Sequence, residues 1–305
     1  MEITKTTIIF PAFVSEYIGS ELDVISAYEN DFESRLARAS AISGTDLTGF
    51  DPGTRNFLED ELASQVISYI YSCTVADILK RKGIRPQSVT GYSMGIYAAL
   101  YYCASISFED GLRLVIRAWE AISEACPADG HAMGMIIGIS GTELREWCDE
   151  LEDAWICNRN NPHTFIISGT ADSVNLLLNI AKAEGALRAN LLPVSKPYHT
   201  GLLHTARATL EAYLQRVRLS EPQYPYVSCI DQGLITTSSG LMDELLRNID
   251  TGMDWLGTME HLISHGTGVF FECGAGDGLT RNFRFIEGDF ERFSVNKLDR
   301  FLHPE

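Results

Sequence analysis

Residues 88–104 read SVTGYSMGIYAALYYCA. Ser88, Val89 and Thr90 form a short strand that runs straight into GYSMG (91–95), and IYAALYYCA has the residues of a helix. Strand, sharp turn and helix in that order decide the fold class, which is α/β. The bare G-x-S-x-G pattern is weak, because three fixed residues turn up by chance in roughly one chain in ten of this length. Its context gives it meaning, since a nucleophile elbow requires a strand before it and a helix after it. On such a turn the glycines relieve crowding and Ser93 Oγ stands exposed at a helix N-terminus. Backbone N–H groups and the helix dipole there favour an oxyanion. Ser93 is therefore the candidate nucleophile, against the alternative of a structural turn serine.

Working outward, TTIIFP (6–11) reads as a buried strand. A long helix is expected over 56–82, with Leu58, Leu62, Val66, Ile67, Ile70 and Val75 at helical spacing. KRKGIR (80–85) closes it, with cations in the last turn and Gly83 just after. Another helix spans about 108–125. The texture then changes. AMGMIIGIS (132–140) is a strand, GTELREWCDEL a helix, AWICNRN and HTFIISG two strands, ADSVNLLLNIAKAEG a helix and LRANLLPVS a strand. The order β-α-β-β-α-β is that of a ferredoxin-like subdomain. A helix at 203–216, a strand at 225–230, helices near 241–249 and 254–265 and a strand at 269–274 resume the α/β pattern. The expected architecture is an α/β-hydrolase-like large domain (1–128 and 197–305) with an inserted ferredoxin-like small subdomain (129–196).

Composition bounds the partners. The 305 residues are 45% hydrophobic, enough for a sizeable core, and carry a net charge of -17 from 41 acidic and 24 basic side chains. Such a surface repels phosphate backbones and anionic lipid, so neither nucleic acid nor membrane is expected as the main partner. An acidic protein or CoA would need a local basic patch, with Lys182, Arg188, Lys196, Arg207 and Arg281 as candidates. Seven widely spaced cysteines without a C-x-x-C give neither a disulfide framework nor a zinc site. No stretch approaches 18 apolar residues, and the N-terminal apolar run is too short for a signal peptide. A cytoplasmic protein is expected.

A serine hydroxyl needs a base to attack a thioester or ester. Seven histidines are present (His131, His163, His199, His204, His261, His265 and His303), and spacing alone does not choose among them.

Six segments in one order carry a resemblance that does choose. FPAFVSE (10–16), GYSMG (91–95), LVIRAWEAISEA (114–125), NRNNPHTFIISG (158–169), VSKPYHTGLL (194–203) and ECGAGDGLT (272–280) resemble the FPGQGSQ, GHSxG, arginine-helix, NxNSPxQxVIxG, VSxPFHSxLM and ExGPGxxLT segments of malonyl-CoA:acyl carrier protein transacylases. The likeness spans nearly the whole chain. It implies a malonyl transfer from malonyl-CoA to the phosphopantetheine thiol of an acyl carrier protein. It also implies Ser93 as nucleophile, His199 as base, and the backbone N–H groups of Phe13 and Met94 as oxyanion donors. A backbone carbonyl at Asn248 would orient His199. Arg117 would hold the malonyl carboxylate, because a planar guanidinium grips a carboxylate through two parallel hydrogen bonds. Bulky Tyr198 fits malonyl rather than a branched acyl group. No metal or other cofactor is implied, and the family default is a monomer. Phe13, Tyr92 and Asn248 depart from the family's glutamine, histidine and glutamine, and Glu16 adds a negative charge, so the branch is divergent. A serine hydrolase acting on acyl carriers or CoA, and a carrier-binding scaffold without turnover, remain as alternatives.

Overall fold

The expected strand before the serine is β2 (Ser88–Gly91), and it lies at the centre of a six-stranded sheet with all four residues buried. In this computed structural model the described residues are 5–14, 16–53, 57–127, 130–295 and 297–298. Numbered along the chain, that sheet also contains β1 (Lys5–Phe10), β7 (Tyr226–Val227), β8 (Leu234–Ile235), β9 (Thr267–Glu272) and β10 (Glu291–Phe293). The order is β10-β9-β1-β2-β7-β8, parallel throughout except for the β7–β8 pair. Strands covered on both faces tolerate continuous apolar runs, which is why IIF in β1 can be wholly buried.

A second sheet contains β3 (His131–Ile137), β4 (Ala154–Asn161), β5 (Thr164–Thr170) and β6 (Arg188–Leu191) in the order β4-β5-β3-β6, entirely antiparallel. Two helices, Gly141–Asp149 and Ala171–Ala183, complete the expected β-α-β-β-α-β order. Ser140 and Glu143 start the first of these with a reciprocal capping box, a device worth about 1 kcal/mol. The small sheet has its own core of Ile136, Leu144, Phe165, Ile167, Val174, Leu177 and Leu178. The boundary expected between residues 128 and 129 falls outside the described residues.

The large layer places three helices around the serine. They are α1 (Glu61–Arg81), α2 (Gly95–Tyr102) and α3 (Phe108–Ala125). Asp60 caps α1 by accepting from the Ala63 N–H at 2.9 Å. α1 is long and apolar enough to cross a membrane by composition, but 89% of the qualifying window is buried inside the protein, as in a core helix. Two more helices, Glu21–Ile25 and Glu29–Ser43, cover α1 and were not expected from the pattern. The buried stripe of the longer one includes Arg35, whose guanidinium bonds Thr74, Asp77 and Tyr101, so the apolar periodicity is broken by a cation.

The two layers are tied along one seam. Asn158 in β4 forms a parallel bridge with Met253. Beside it, Arg159 Nε and Nη2 each donate to the Asp254 carboxylate at 2.9 Å. The seam lies directly behind the serine, because Met253 Sδ accepts the Ser93 N–H at 3.3 Å.

Candidate active site

The GYSMG turn is as tight as its glycines imply. A Cβ on Gly95 would stand 2.1 Å from the Phe10 carbonyl oxygen, and one on Gly91 would stand 2.4 Å from the Ile96 nitrogen. Gly91 thus lets the turn close on the start of the following helix, and Gly95 lets it pack on β1. Ser93 itself has φ of 54°, a left-handed conformation that costs a non-glycine residue about 1 kcal/mol or more. Its hydroxyl is thereby presented at the start of α2.

His199 reaches it from a separate loop, also with positive φ (62°). Ser93 Oγ and His199 Nε2 are 2.8 Å apart, and His199 Nδ1 is 2.7 Å from the Asn248 carbonyl oxygen. A carbonyl only accepts, so Nδ1 carries the proton and Nε2 faces the serine with its lone pair. Burial pushes the His199 pKa down to about 4, against the smaller opposing effect of the Asn248 carbonyl. The imidazole is therefore neutral across the physiological range. Asn248 contributes again through its side chain, whose Nδ2 donates to the Ser93 carbonyl at 3.3 Å.

Phe13 and Met94 line the same cavity, of about 190 Å³, together with Tyr92, Tyr198, Met133, Ile166 and Leu192. Neither the Phe13 nor the Met94 amide donates to another described residue. The loop carrying Phe13 is held from below. Gly274 lets Pro11 approach so closely that a Cβ there would be 2.0 Å from Pro11 Cγ. Glu272, fully buried, accepts from the Leu279 and Thr280 N–H groups at 3.0 and 2.8 Å, and burial raises its pKa to about 7. The ECGAGDGLT segment is thus a support for the site and not part of its chemistry. Tyr92 donates to Asn160 Oδ1 at 3.0 Å and so links the turn to the small sheet.

Comparison with known proteins fits this geometry. The acyl transferase domain family model matches residues 61–244, more than half of the chain. The malonyl CoA-acyl carrier protein transacylase of Bacillus subtilis (strain 168) is 30% identical over 213 residues, 68% of this chain and 67% of the relative. This chain belongs to the malonyl-CoA:acyl carrier protein transacylase family. The transacylase of Escherichia coli (strain K12) is 29% identical over 283 residues, 91% of each chain. Among solved structures, a malonyl-transacylase in complex with its type II PKS acyl-carrier protein superposes with a TM-score of 0.90 at 27% identity, covering 98% of this chain and 99% of that one. The acyl-carrier-protein S-malonyltransferase of Burkholderia pseudomallei gives 0.87 at 28% identity, with 98% and 99% coverage.

One expectation drawn from the transacylase family needs correction. Arg117 is not brought to the site. It lies on α3 with its guanidinium over the Tyr213 ring, 5.8 Å from the centroid, and its Nη1 bonds Glu120 at 2.5 Å. It lines neither the serine cavity nor the recess beside it. The reason is helical phase. Trp119 and Ser123 are the α3 residues that face the recess, and two residues along a helix amount to a turn of about 200°. Tyr198 does line the cavity, and its hydroxyl donates to Glu61 while accepting from Gln65 Nε2 at 3.1 Å. Glu61 and Gln65 were not singled out from the sequence, although both lie on the site-facing stretch of α1.

The candidate basic patch also divides. Lys182 and Arg188 are exposed, Arg207 and Arg281 are paired with Asp250 and Asp277, and Lys196 is buried. Lys196 therefore cannot be a surface docking cation. Glu16 lines neither cavity.

Proposed function

We propose that this transacylase moves a malonyl group from malonyl-CoA to the phosphopantetheine thiol of an acyl carrier protein through an ester on Ser93. The observation that carries the reading is the continuous chain from Ser93 Oγ to His199 Nε2 and from Nδ1 to the Asn248 carbonyl. His199 Nε2 takes the Oγ proton as Oγ bonds to the thioester carbon. The tetrahedral oxyanion points to the Phe13 and Met94 amides, which have no other described partner to give up. The C–S bond then breaks, and His199 returns its proton to the leaving CoA sulfur. In the second half the carrier thiol gives its proton to His199, its sulfur attacks the ester, and Ser93 leaves with the proton. Asn248 keeps the tautomer correct through both halves without a carboxylate.

The finer architecture belongs to the same proposal. We read the parallel sheet with its strand–turn–helix serine as α/β-hydrolase-like, formed from residues 1–128 and 197–305. The sheet order β4-β5-β3-β6 supports a ferredoxin-like insertion over 129–196. The scheme calls on no residue of a second copy, and a monomer is part of the proposal. All seven cysteines are free and buried, which suits a reducing, cytoplasmic setting. No metal or redox cofactor enters the scheme.

Intact-protein mass spectrometry after brief incubation with malonyl-CoA tests this reading. A malonyl-sized adduct is expected on the native protein and not on Ser93→Ala, and it should be discharged onto a carrier thiol. Absence of any adduct, or release only of free malonate in the presence of carrier, would refute it.

A further inference from the structure

With Arg117 turned away, the malonyl carboxylate requires another partner, and the structure offers a set of unspent donors beside the serine cavity. Lys196 is only 5% exposed, and among the described residues its Nζ donates a single hydrogen bond, to the Cys126 carbonyl at 2.7 Å. No carboxylate contacts this ammonium among the described residues. A buried ammonium without a contacting anion costs several kcal/mol, so its retention calls for a role. Two more donors share its surroundings. Trp119 Nε1 and Ser123 Oγ are shielded from solvent and have no hydrogen-bond partner among the described residues. They sit four residues apart on α3 and therefore on one face of it.

All three groups line one recess, of about 630 Å³. Its wall includes Phe13, Pro193 and Val194, which also line the Ser93 cavity, so the two spaces share that wall. Two acids border it as well. Glu59 is exposed, and Glu61 has its Oε1 occupied by the Tyr198 hydroxyl and the Gln65 amide. Glu61 balances the ammonium at longer range and leaves the nearer donors unfilled.

We propose that Lys196, with Trp119 and Ser123, is the group that recognises the carboxylate of the acyl chain, an assignment that rests on the transferase reading above. The chemistry of the pocket is complementary to a carboxylate, which is acceptor-only, whereas ammonium and indole N–H are donors only and a hydroxyl donates readily. The recess shares Phe13, Pro193 and Val194 with the serine cavity, which places these donors beside it. In a malonyl ester the carboxylate carbon lies two bonds beyond the ester carbonyl carbon, so its partner must stand beside the serine cavity. The phosphates of CoA lie at the far end of the pantetheine arm.

The test compares adduct formation on Ser93 from malonyl-CoA, acetyl-CoA and the malonyl thioester of N-acetylcysteamine, which has no phosphate. The proteins are the native chain, Lys196→Met, Lys196→Arg, Ser123→Ala and Arg117→Ala, with folding checked by circular dichroism. Removing a charge-assisted contact should lower the malonyl-to-acetyl rate ratio about 10- to 100-fold in Lys196→Met. Lys196→Arg should recover most of it, and Ser123→Ala should lower the ratio a few-fold, which keeps the test alive if Lys196→Met does not fold. Arg117→Ala should leave the ratio unchanged. The proposal is overturned if Lys196→Met keeps the native ratio, or if Arg117→Ala collapses it. It is likewise overturned if only the CoA donors slow while the N-acetylcysteamine donor does not, the signature of a phosphate contact. A native chain that forms no adduct from any donor would instead sink the transferase reading beneath it.

Discussion

Lowering the pH from 8 to 5 should barely slow acylation of Ser93. The proposed base is His199, and burial holds its pKa at about 4 against an ordinary 6.5. With the ordinary value, about 3% of the imidazole would be neutral at pH 5, whereas with a pKa near 4 about 90% is neutral, a difference of about 30-fold in rate. The assay is the initial rate of CoA release at limiting malonyl-CoA, which reports kcat/KM and hence the free enzyme. The fold must survive the same range, over which two buried groups act on its stability. Between pH 6.5 and 4 the unfolded chain binds a proton at His199 that the folded chain lacks. Stability therefore falls with acid, by up to about 3 kcal/mol. Glu272 acts in the opposite sense, since its folded pKa is raised to about 7 from 4.5. Between those values the folded chain holds the extra proton, so stability rises as pH falls. The two contributions offset near pH 5, and Glu272→Gln should make acid destabilisation steeper. A rate profile with its inflection near 6.5 in a protein still folded at pH 5 would refute the argument for a desolvated base.

Three perturbations probe other parts of the frame. Gly95→Ala forces a Cβ to within 2.1 Å of the Phe10 carbonyl, so it should cost at least about 2 kcal/mol and abolish adduct formation; a normal melting temperature would contradict the packing of the turn. Tyr198→Phe leaves the Glu61 Oε1 with Gln65 alone, and urea titration should show a loss of about 1–2 kcal/mol. Asp254→Asn breaks the two-pronged bond to Arg159 between the layers. Both side chains are partly exposed, so its stability cost should stay near 0.5–1 kcal/mol by the same titration.

Much of this molecule was legible from residue order. The strand–turn–helix around Ser93 was readable because its glycines and apolar run are local signals, and the helix expected over 108–125 occupies Phe108–Ala125. The β-α-β-β-α-β order emerged for the same reason, as each piece has its own period. What stayed hidden depends on neighbours. The phase of α3 is set by what packs against it, so the sequence could name an arginine on that helix but could not aim it. Lys196 looked like a surface cation because nothing in VSKPYH reveals that Cys126 and the α3 helix close over it. The helix Glu29–Ser43 was concealed by Arg35, whose burial makes sense only once Asp77 and Tyr101 are in place. Strands such as Leu234–Ile235 and Glu291–Phe293 are too short to show any alternation.

The small sheet is spliced into the chain between Ser93 and His199, yet supplies neither. Ser93, His199 and Asn248 all stand on the large layer, whereas Met133, Cys157, Ile166 and Leu192 bring in the facing wall. Reactivity and fit are therefore separately editable. An engineer could graft a different four-stranded insert across residues 130–191, keeping the Asn158–Met253 and Arg159–Asp254 seam, and so re-cut the contour met by an incoming thiol while leaving the proton relay untouched.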